Sequence, residues 1–246
     1  MIMSIIAVLI AVVLLLWFLG NYNIWRPVVS SDQPRILMYH SIGDGISDLS
    51  VSTAKFDQQL KWLKAKGYRF VTVSELLELD STVKVVALTF DDGFEDNYTN
   101  MFPVLQRYAA KATVYLAPDI SGIDRLTVEQ VKGMQASGLC EFGAHTLNHV
   151  NLSQLDDPQA QVEIIKSKQK VESMTESECR SFAYPFGRYT DRTVELVKAA
   201  GFDSAVTVKK GIEHIQDPYK IKRISVLGKT NIVQFQIAMT RGRYRV

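Results

Sequence analysis

Two periodicities alternate along most of this chain. Short apolar runs, rich in β-branched and aromatic residues and bounded by Gly, Pro or Asp, occur at Arg35–Tyr39, Tyr68–Val73, Val83–Phe90, Ala112–Leu116, Leu139–Ala144, Ser181–Tyr184 and Asp203–Val208, with a weaker one at Ile221–Val226. That pattern predicts buried strands. Between them, apolar residues return every three or four positions. Thr53–Lys66 sets Phe56, Leu60 and Leu63 on one face, and helices are also expected over Asp96–Tyr108, Thr127–Ala136, Pro158–Met174, Arg192–Ala200 and Asn231–Thr240. Asp191 reads as an N-cap for the helix over Arg192–Ala200, and Gly201 as its stop. Strand–helix alternation of this kind predicts an α/β fold: a parallel sheet covered by helices, either open and doubly wound or closed into a barrel. In both forms chemistry gathers at the carboxyl ends of the strands.

The start of the chain breaks this rhythm. Ile2 to Leu19 is 18 residues without a charge, and Ser4 is its only hydroxyl. That length predicts one N-terminal transmembrane helix. A cleaved signal peptide, the competing reading, would need a basic segment ahead of a shorter apolar core and a small-residue cleavage site after it; no Lys or Arg precedes the run, and Leu19-Gly20-Asn21-Tyr22-Asn23 is a poor cleavage site. Residues 1–25 therefore read as a membrane anchor with its flank, with Trp17, Tyr22 and Trp25 suited to the interfacial belt. Residues 26–246 suffice for one large domain, and no repeat or low-complexity linker divides them. The nearest fixed positive charge, Arg26, follows the apolar run, so the positive-inside rule taken alone favours a cytoplasmic domain.

Composition changes this picture little. With 28 basic and 26 acidic residues in 246, the net charge is +2, and nothing global points to a nucleic-acid partner. Arg241, Arg243 and Arg245 form a local basic cluster, read as a solvated or lipid-facing tail. The two cysteines, Cys140 and Cys179, are too few for a disulfide scaffold and lack metal-site spacing. Each lies five residues before a strand-end residue, His145 and Tyr184. If those strands are parallel neighbours, the sulfurs fall within bridging range, and a disulfide and two buried free thiols stay equally open.

Candidate chemistry sits at strand ends. Thr89-Phe90-Asp91-Asp92-Gly93 closes one strand with adjacent carboxylates, which a cation would neutralise, and Gly93 permits the sharp turn that faces both toward a crevice. A helix N-cap pair is the competing reading. His145-Thr146-Leu147-Asn148-His149 closes another strand, with two of the chain's four histidines at a spacing that meets on a helical turn. One Asp and two His leave an open position for water, as catalytic metal sites do, and the other Asp is free to act as a base.

These motifs, in this order, resemble the polysaccharide deacetylase family, carbohydrate esterase family 4, from about Arg35 to Val226. The resemblance implies a distorted (β/α) barrel with about seven parallel strands. It implies Asp92, His145 and His149 as ligands of one divalent ion, Zn²⁺ first and Co²⁺ or Ni²⁺ as alternatives, and Asp91 as general base. In Ser181-Phe182-Ala183-Tyr184-Pro185-Phe186-Gly187, it implies the Phe186 backbone N–H as oxyanion donor, with Tyr184, Pro185 and the Phe186 ring lining an apolar wall against a sugar. Read alone, that segment is a Pro-Gly loop closing a core strand. Ala205 to Thr207 are expected to pack the core.

The chain departs from the family where many members carry an arginine at the position of Ala183 and a late Leu-x-x-His element. It has Ile221-Lys222-Arg223-Ile224-Ser225 there, without histidine. Leu37-Met38-Tyr39-His40, Phe182–Gly187 and Arg223-Ile224 are similar to deacetylases of biofilm poly-β-1,6-N-acetylglucosamine. On that likeness His40 contacts substrate or assists proton transfer, against a purely structural hydrogen-bonding role; Arg223 is expected among the substrate-binding residues, and its replacing the missing arginine stays open. His214 is expected to be exposed and idle. The implied activity is hydrolysis of N-acetyl groups on an N-acetylglucosamine-containing polysaccharide, by a single-pass protein whose catalytic domain lies outside the cytoplasmic membrane. An O-acetyl esterase on a xylan-like glycan and a non-catalytic glycan-binding barrel are the alternatives. No protein partner is indicated.

Overall fold

The computed structural model describes residues 2–22, 25–45, 47–79 and 84–244. The apolar stretch forms helix α1 (Ile2–Tyr22), none of it buried and apolar enough to cross a membrane. Strands follow in chain order: β1 (Arg35–Tyr39), the short β2 (Ser41–Ile42) and β3 (Ser50–Val51), β4 (Arg69–Val71), β5 (Val85–Phe90), β6 (Ala112–Leu116), β7 (Cys140–Ala144), β8 (Ser181–Ala183), β9 (Ser204–Lys210) and β10 (Ile221–Ser225). After α1 the helices are α2 (Thr53–Ala65), α3 (Val73–Glu78), α4 (Phe102–Tyr108), α5 (Val128–Ala136), α6 (Asp157–Thr175), α7 (Asp191–Ala199) and α8 (Ile232–Arg241).

Among the described residues, seven parallel strands close into a barrel in the order β1-β10-β9-β8-β7-β6-β5, with β5 pairing back to β1. This is the closed form of the two that alternation permits. The ring is distorted where β4 lies along Val85–Ala87 of β5 while β6 pairs Leu88–Phe90 on that same edge. Residues alternate between two cores, as strand geometry demands. Leu37, Leu88, Phe90, Val114 and Phe142 pack outward under the helices, whereas Ile36, Ala87, Tyr115, Ala183 and Val206 fill the barrel. Gly143 makes room for this filling. A Cβ there would lie 2.5 Å from the Tyr115 ring, below any real contact.

Local chemistry explains where elements start. Thr72, Thr127, Asp156, Thr190 and Asn231 each cap a helix reciprocally with the residue three positions on. Thr190, not Asp191, therefore starts α7, and Gly201 lies just past its end in the left-handed region. Thr72 also ends the expected strand over Tyr68–Val73 early, because its hydroxyl and Glu75 recruit the following residues into α3. The helix expected over Asp96–Tyr108 divides into a π-turn at Asn97–Met101 and α4. Val83 and Arg245, included in the expected strand and basic tail, lie outside the described residues. Arg241 and Arg243 do not form a free tail: Arg241 donates to the Arg26 carbonyl, and Tyr244 is buried. Strands β7 and β8 are neighbours, yet Cys140 and Cys179 are free thiols, both buried.

Candidate active site

The ladder carries the polar residues to the barrel mouth. The Asp91 N–H donates to the Tyr39 carbonyl at 3.0 Å, extending the β5–β1 pairing by one residue and setting His40 beside the carboxylates. The His145 N–H likewise donates to the Leu116 carbonyl at 2.8 Å. Past these points the backbone turns through left-handed residues: Asp92 (φ 74°) and Gly93 (φ 75°) after β5, Thr146 (φ 59°) and His149 (φ 54°) after β7. Glycine avoids both strain and crowding at Gly93, where a Cβ would approach Leu116 Cδ2 to 2.6 Å and displace it. The two histidines thus meet through a strained loop and not on a helical turn.

Asp92, His145 and His149 present their ligand atoms to one point. Asp92 Oδ1 lies 3.4 Å from His145 Nε2 and 3.3 Å from His149 Nε2, and it is buried without a hydrogen-bond partner. Zinc-like bonds of 2.0–2.1 Å in tetrahedral array separate neighbouring ligands by about 3.3 Å. The trio therefore fits a small divalent ion, and an orphaned buried carboxylate oxygen is the atom such an ion would satisfy. His145 Nδ1 lies 2.7 Å from the Ala183 carbonyl, which fixes the tautomer with Nδ1–H donating and Nε2 free.

Asp91 faces the other way. Arg223, fully buried, grips it with two parallel hydrogen bonds of 2.7 Å, Nη1 to Oδ1 and Nη2 to Oδ2. Nη1 also donates to Thr89 Oγ1 at 3.0 Å and Nε to the Thr207 carbonyl at 2.9 Å, while the guanidinium sits 6.0 Å from the Tyr115 ring centre. Fully buried on Asp91, Arg223 is not free to bind substrate as expected, and it brings a guanidinium to the carboxylate where Ala183 supplies none. Arg180 instead pairs with Glu78 and Asp203 on the outside.

Charges follow this arrangement. Burial raises the Asp91 carboxyl, but the Arg223 cation outweighs it and holds Asp91 well below the ordinary carboxylate range. Burial also raises Asp92, and the neighbouring His145 reverses the shift to a net lowering. Burial pulls His145 down, yet Asp92 and Asp91 carry it above the ordinary imidazole value. His149, desolvated and facing His145, falls to about 4. Burial lowers His40 against the pull of Asp91 and Asp92, and its Nδ1 is buried without a partner.

The Tyr184–Gly187 segment meets expectation only in part. Phe186 projects into solvent, 56% exposed, with its ring centre 4.5 Å from that of His149 and a left-handed backbone (φ 58°). Tyr184 is fully buried and donates to the Tyr219 carbonyl, and Pro185 is buried too. Neither offers a face to a sugar; their planes complete the core, and the apolar wall reduces to Phe186. His214 is exposed, and Ala205, Val206 and Thr207 are buried, as expected.

Three residues absent from the sequence reading shape the site. Glu163 on α6 accepts the Leu147 N–H (2.9 Å), the Asn148 N–H (3.0 Å) and the Asn148 side-chain amide (2.7 Å), pinning the loop between the histidines. Asp96 accepts from Ser41 and the Ile42 N–H, and Asn97 donates to the His40 carbonyl at 2.9 Å, fixing the chain after β1. The π-turn that aims Asn97 is a local feature common at functional sites.

Comparison with known proteins agrees with this geometry. A family model described as polysaccharide deacetylase matches residues 79–205. The chain is 36% identical over 198 residues to the "Putative polysaccharide deacetylase YxkH" of Bacillus subtilis (strain 168), covering 78% of this chain and 70% of that one. It is 28% identical over 209 residues to the poly-beta-1,6-N-acetyl-D-glucosamine N-deacetylase of Staphylococcus aureus (strain MRSA252), covering 77% and 72%. Among solved structures, the Streptococcus pyogenes deacetylase PplD in complex with acetate superposes with a TM-score of 0.75 at 30% identity, over 81% of this chain and 94% of that one. IcaB from Ammonifex degensii gives 0.75 at 27%, over 85% and 96%.

Proposed function

This chain belongs to the polysaccharide deacetylase family, and we propose that it removes N-acetyl groups from an N-acetylglucosamine-containing polysaccharide outside the cytoplasm, using one divalent metal ion. The observation that carries the reading is the division of labour between adjacent carboxylates: Asp92 turned to His145 and His149, Asp91 turned to Arg223. The name of the S. aureus relative supports the choice of polymer, and α1 supports a membrane-tethered enzyme.

Asp92, His145 and His149 would hold the ion, with Zn²⁺ best suited to the nitrogen-rich set. Such an ion would supply Lewis-acid polarisation of the acetyl carbonyl and would acidify the attacking water toward a pKa of about 7. Asp91 accepts the proton of the attacking water at a carboxylate oxygen. Arg223 occupies one lone-pair direction on each oxygen and leaves others open. The Phe186 N–H donates to the developing oxyanion, and the Phe186 ring packs on the sugar. His40, neutral at pH 7, hydrogen-bonds the substrate beside the carboxylates. The C–O bond forms first and gives the tetrahedral oxyanion; its collapse then breaks the C–N bond, and the proton taken from water passes to the departing nitrogen, leaving acetate and a free amine.

Acetate release from β-1,6 and β-1,4 N-acetylglucosamine oligomers tests this, with the full chain in detergent, with Zn²⁺ or chelator, beside Asp91→Asn. Chelator-sensitive release lost in the variant is the expected result. Release from acetylxylan alone would make the protein an O-acetyl esterase. No release from any of them, with metal bound, would leave a glycan-binding barrel. Protease protection in intact spheroplasts tests the placement, and a fully protected barrel would refute it.

A further inference from the structure

We infer that the groove between α2 and α8 docks on anionic phospholipid headgroups of the membrane that α1 enters. The inference rests on the reading of α1 as an anchor. Both ends of α8 meet the segment that leaves α1: the Asn231 side-chain amide donates to the Tyr22 hydroxyl at 3.4 Å, and Arg241 donates to the Arg26 carbonyl. The Val29 N–H donates to the Thr240 carbonyl at 2.8 Å, and Arg35 collects the carbonyls of Val29, Ser30 and Met239. From Tyr22 to Arg26 the chain reaches at most about 14 Å, at roughly 3.5 Å per residue. A bilayer about 40–45 Å thick with a 30 Å core has an interfacial layer of about 5–8 Å on each side. The tether is thus too short to hold α8 far from the headgroups.

The groove has the chemistry of that layer. It encloses about 590 Å³, and its walls include Trp62, Lys66, Tyr68, Lys84, Val233 and Arg241; among the described residues no Asp or Glu lines it. The Lys66 ammonium stands 6.0 Å from the Trp62 ring centre and that of Lys84 4.4 Å from the Tyr68 ring centre, so cations and aromatic faces alternate. Val233 is half exposed at its edge, and Trp25 and Val28 of the linker are exposed nearby in the chain. Amphipathic aromatics with unshielded cations suit a surface of phosphates over acyl chains. Trp62 and Lys66 lie at the end of α2, and Tyr68 and Lys84 precede β4 and β5, so the groove lies toward the amino ends of the strands, opposite the mouth, and docking leaves the site open to polymer.

The chain's three tryptophans, Trp17, Trp25 and Trp62, make the test direct. Full-length W25F/W62F retains Trp17 in α1, and W17F/W25F retains Trp62 in the groove. Each is reconstituted in phosphatidylglycerol or phosphatidylcholine vesicles carrying brominated acyl chains or a headgroup nitroxide. Acyl-chain quenching of Trp17 in both lipids, with headgroup quenching of Trp62 only in phosphatidylglycerol, is expected. Adding Lys66→Gln and Lys84→Gln should reduce the Trp62 signal to its phosphatidylcholine level while hydrolysis of soluble oligomers is unchanged. Quenched Trp17 with unquenched Trp62 would overturn the docking but keep the anchor. Unquenched Trp17 would overturn the anchor and the docking with it. Trp62 quenching indifferent to lipid charge and to both lysines would show tethered proximity without recognition, and would also overturn the inference.

Discussion

Arg223→Met removes the cation that holds the proposed base and leaves every other polar group in place. Arg223 is fully buried and makes four hydrogen bonds, two of them to Asp91, which is itself 2% exposed. Deleting one partner of a buried ion pair costs about 3–5 kcal/mol, against a total stability of about 5–15 kcal/mol for a domain. The variant should fold, with a urea midpoint well below that of the wild type. The pH dependence carries the sharper information. In the wild type the Asp91 pKa is depressed, so the pair's stabilisation is complete above the ordinary carboxylate value of 3.8 and is lost only as pH falls far below it. Without Arg223, burial is opposed only by His145 and His40, so the Asp91 pKa rises from its depressed value and the carboxylate loses its stabilisation at higher pH. The stability gap between the two proteins should therefore be largest near neutrality and shrink toward pH 3. Catalysis should follow, with kcat/KM falling about 10²–10⁴-fold at pH 7, the range a positioned general base contributes. The acid limb of the profile should move upward. Arg223→Lys, which keeps charge but not the planar fork, should fall between. A gap independent of pH, or kcat/KM within about threefold of wild type with an unmoved acid limb, refutes the assignment of Arg223 as the holder of the base.

Other outcomes follow from the same geometry. Glu163→Ala removes three acceptor contacts from the histidine loop and should weaken Zn²⁺ binding about 10–100-fold, measured by competition with a chromophoric chelator, with a much smaller change in the melting temperature of the metal-free protein. Phe186→Gly keeps the backbone N–H and the left-handed backbone while deleting the exposed ring, so KM should rise with kcat nearly unchanged. His145 sits above the ordinary imidazole value of 6.5 and His149 near 4, so metal binding at neutral pH should expel a proton from His145; calorimetry in buffers of different ionisation enthalpy would detect it. In the metal-free protein, the stabilisation that His145 contributes is complete below 6.5 and lost as pH rises through its folded value; urea titrations across that range would show it.

The parallel strands were legible because they are short, apolar and regularly spaced; about half of their ends fall where expected and the rest shift by one or two residues. Closure was not legible in the periodicity, which fits an open sheet equally; the resemblance to the deacetylase family supplied it, and the seven-stranded ring bears it out. Whether β5 returns to β1 depends on long-range pairing that no local pattern encodes. The errors have local causes. Thr72 and Glu75 form a capping box that outcompetes the strand tendency of Thr72 and Val73. Asp191 has the chemistry of a cap, but Thr190 is in the extended conformation that a cap requires. Tyr184 looked like a sugar platform from its place in the motif, yet strand alternation turned its ring outward against Phe182 and Tyr189.

The candidate site shows which parts of a function a sequence carries openly. Asp91, Asp92, His145 and His149 are visible because their chemistry is costly to bury and needs a partner, so their types and spacing restrict what that partner can be. Arg223, Glu163 and Asn97 act by reaching across elements far apart in the chain, from β10 to β5, from α6 to the loop after β7, and from the π-turn to the end of β1. None of the three has a periodic signature, and of them only Arg223 was marked in the sequence, by the resemblance to the biofilm deacetylases. The left-handed backbone at Asp92, Thr146 and His149 belongs to the same hidden class. Non-glycine residues there carry strain that surrounding contacts must hold, and the Thr146 hydroxyl accepting from Val150 together with the Glu163 carboxylate supplies such contacts. The groups that would perform the chemistry are therefore readable from the motifs, while the groups that aim them are set by closure of the barrel.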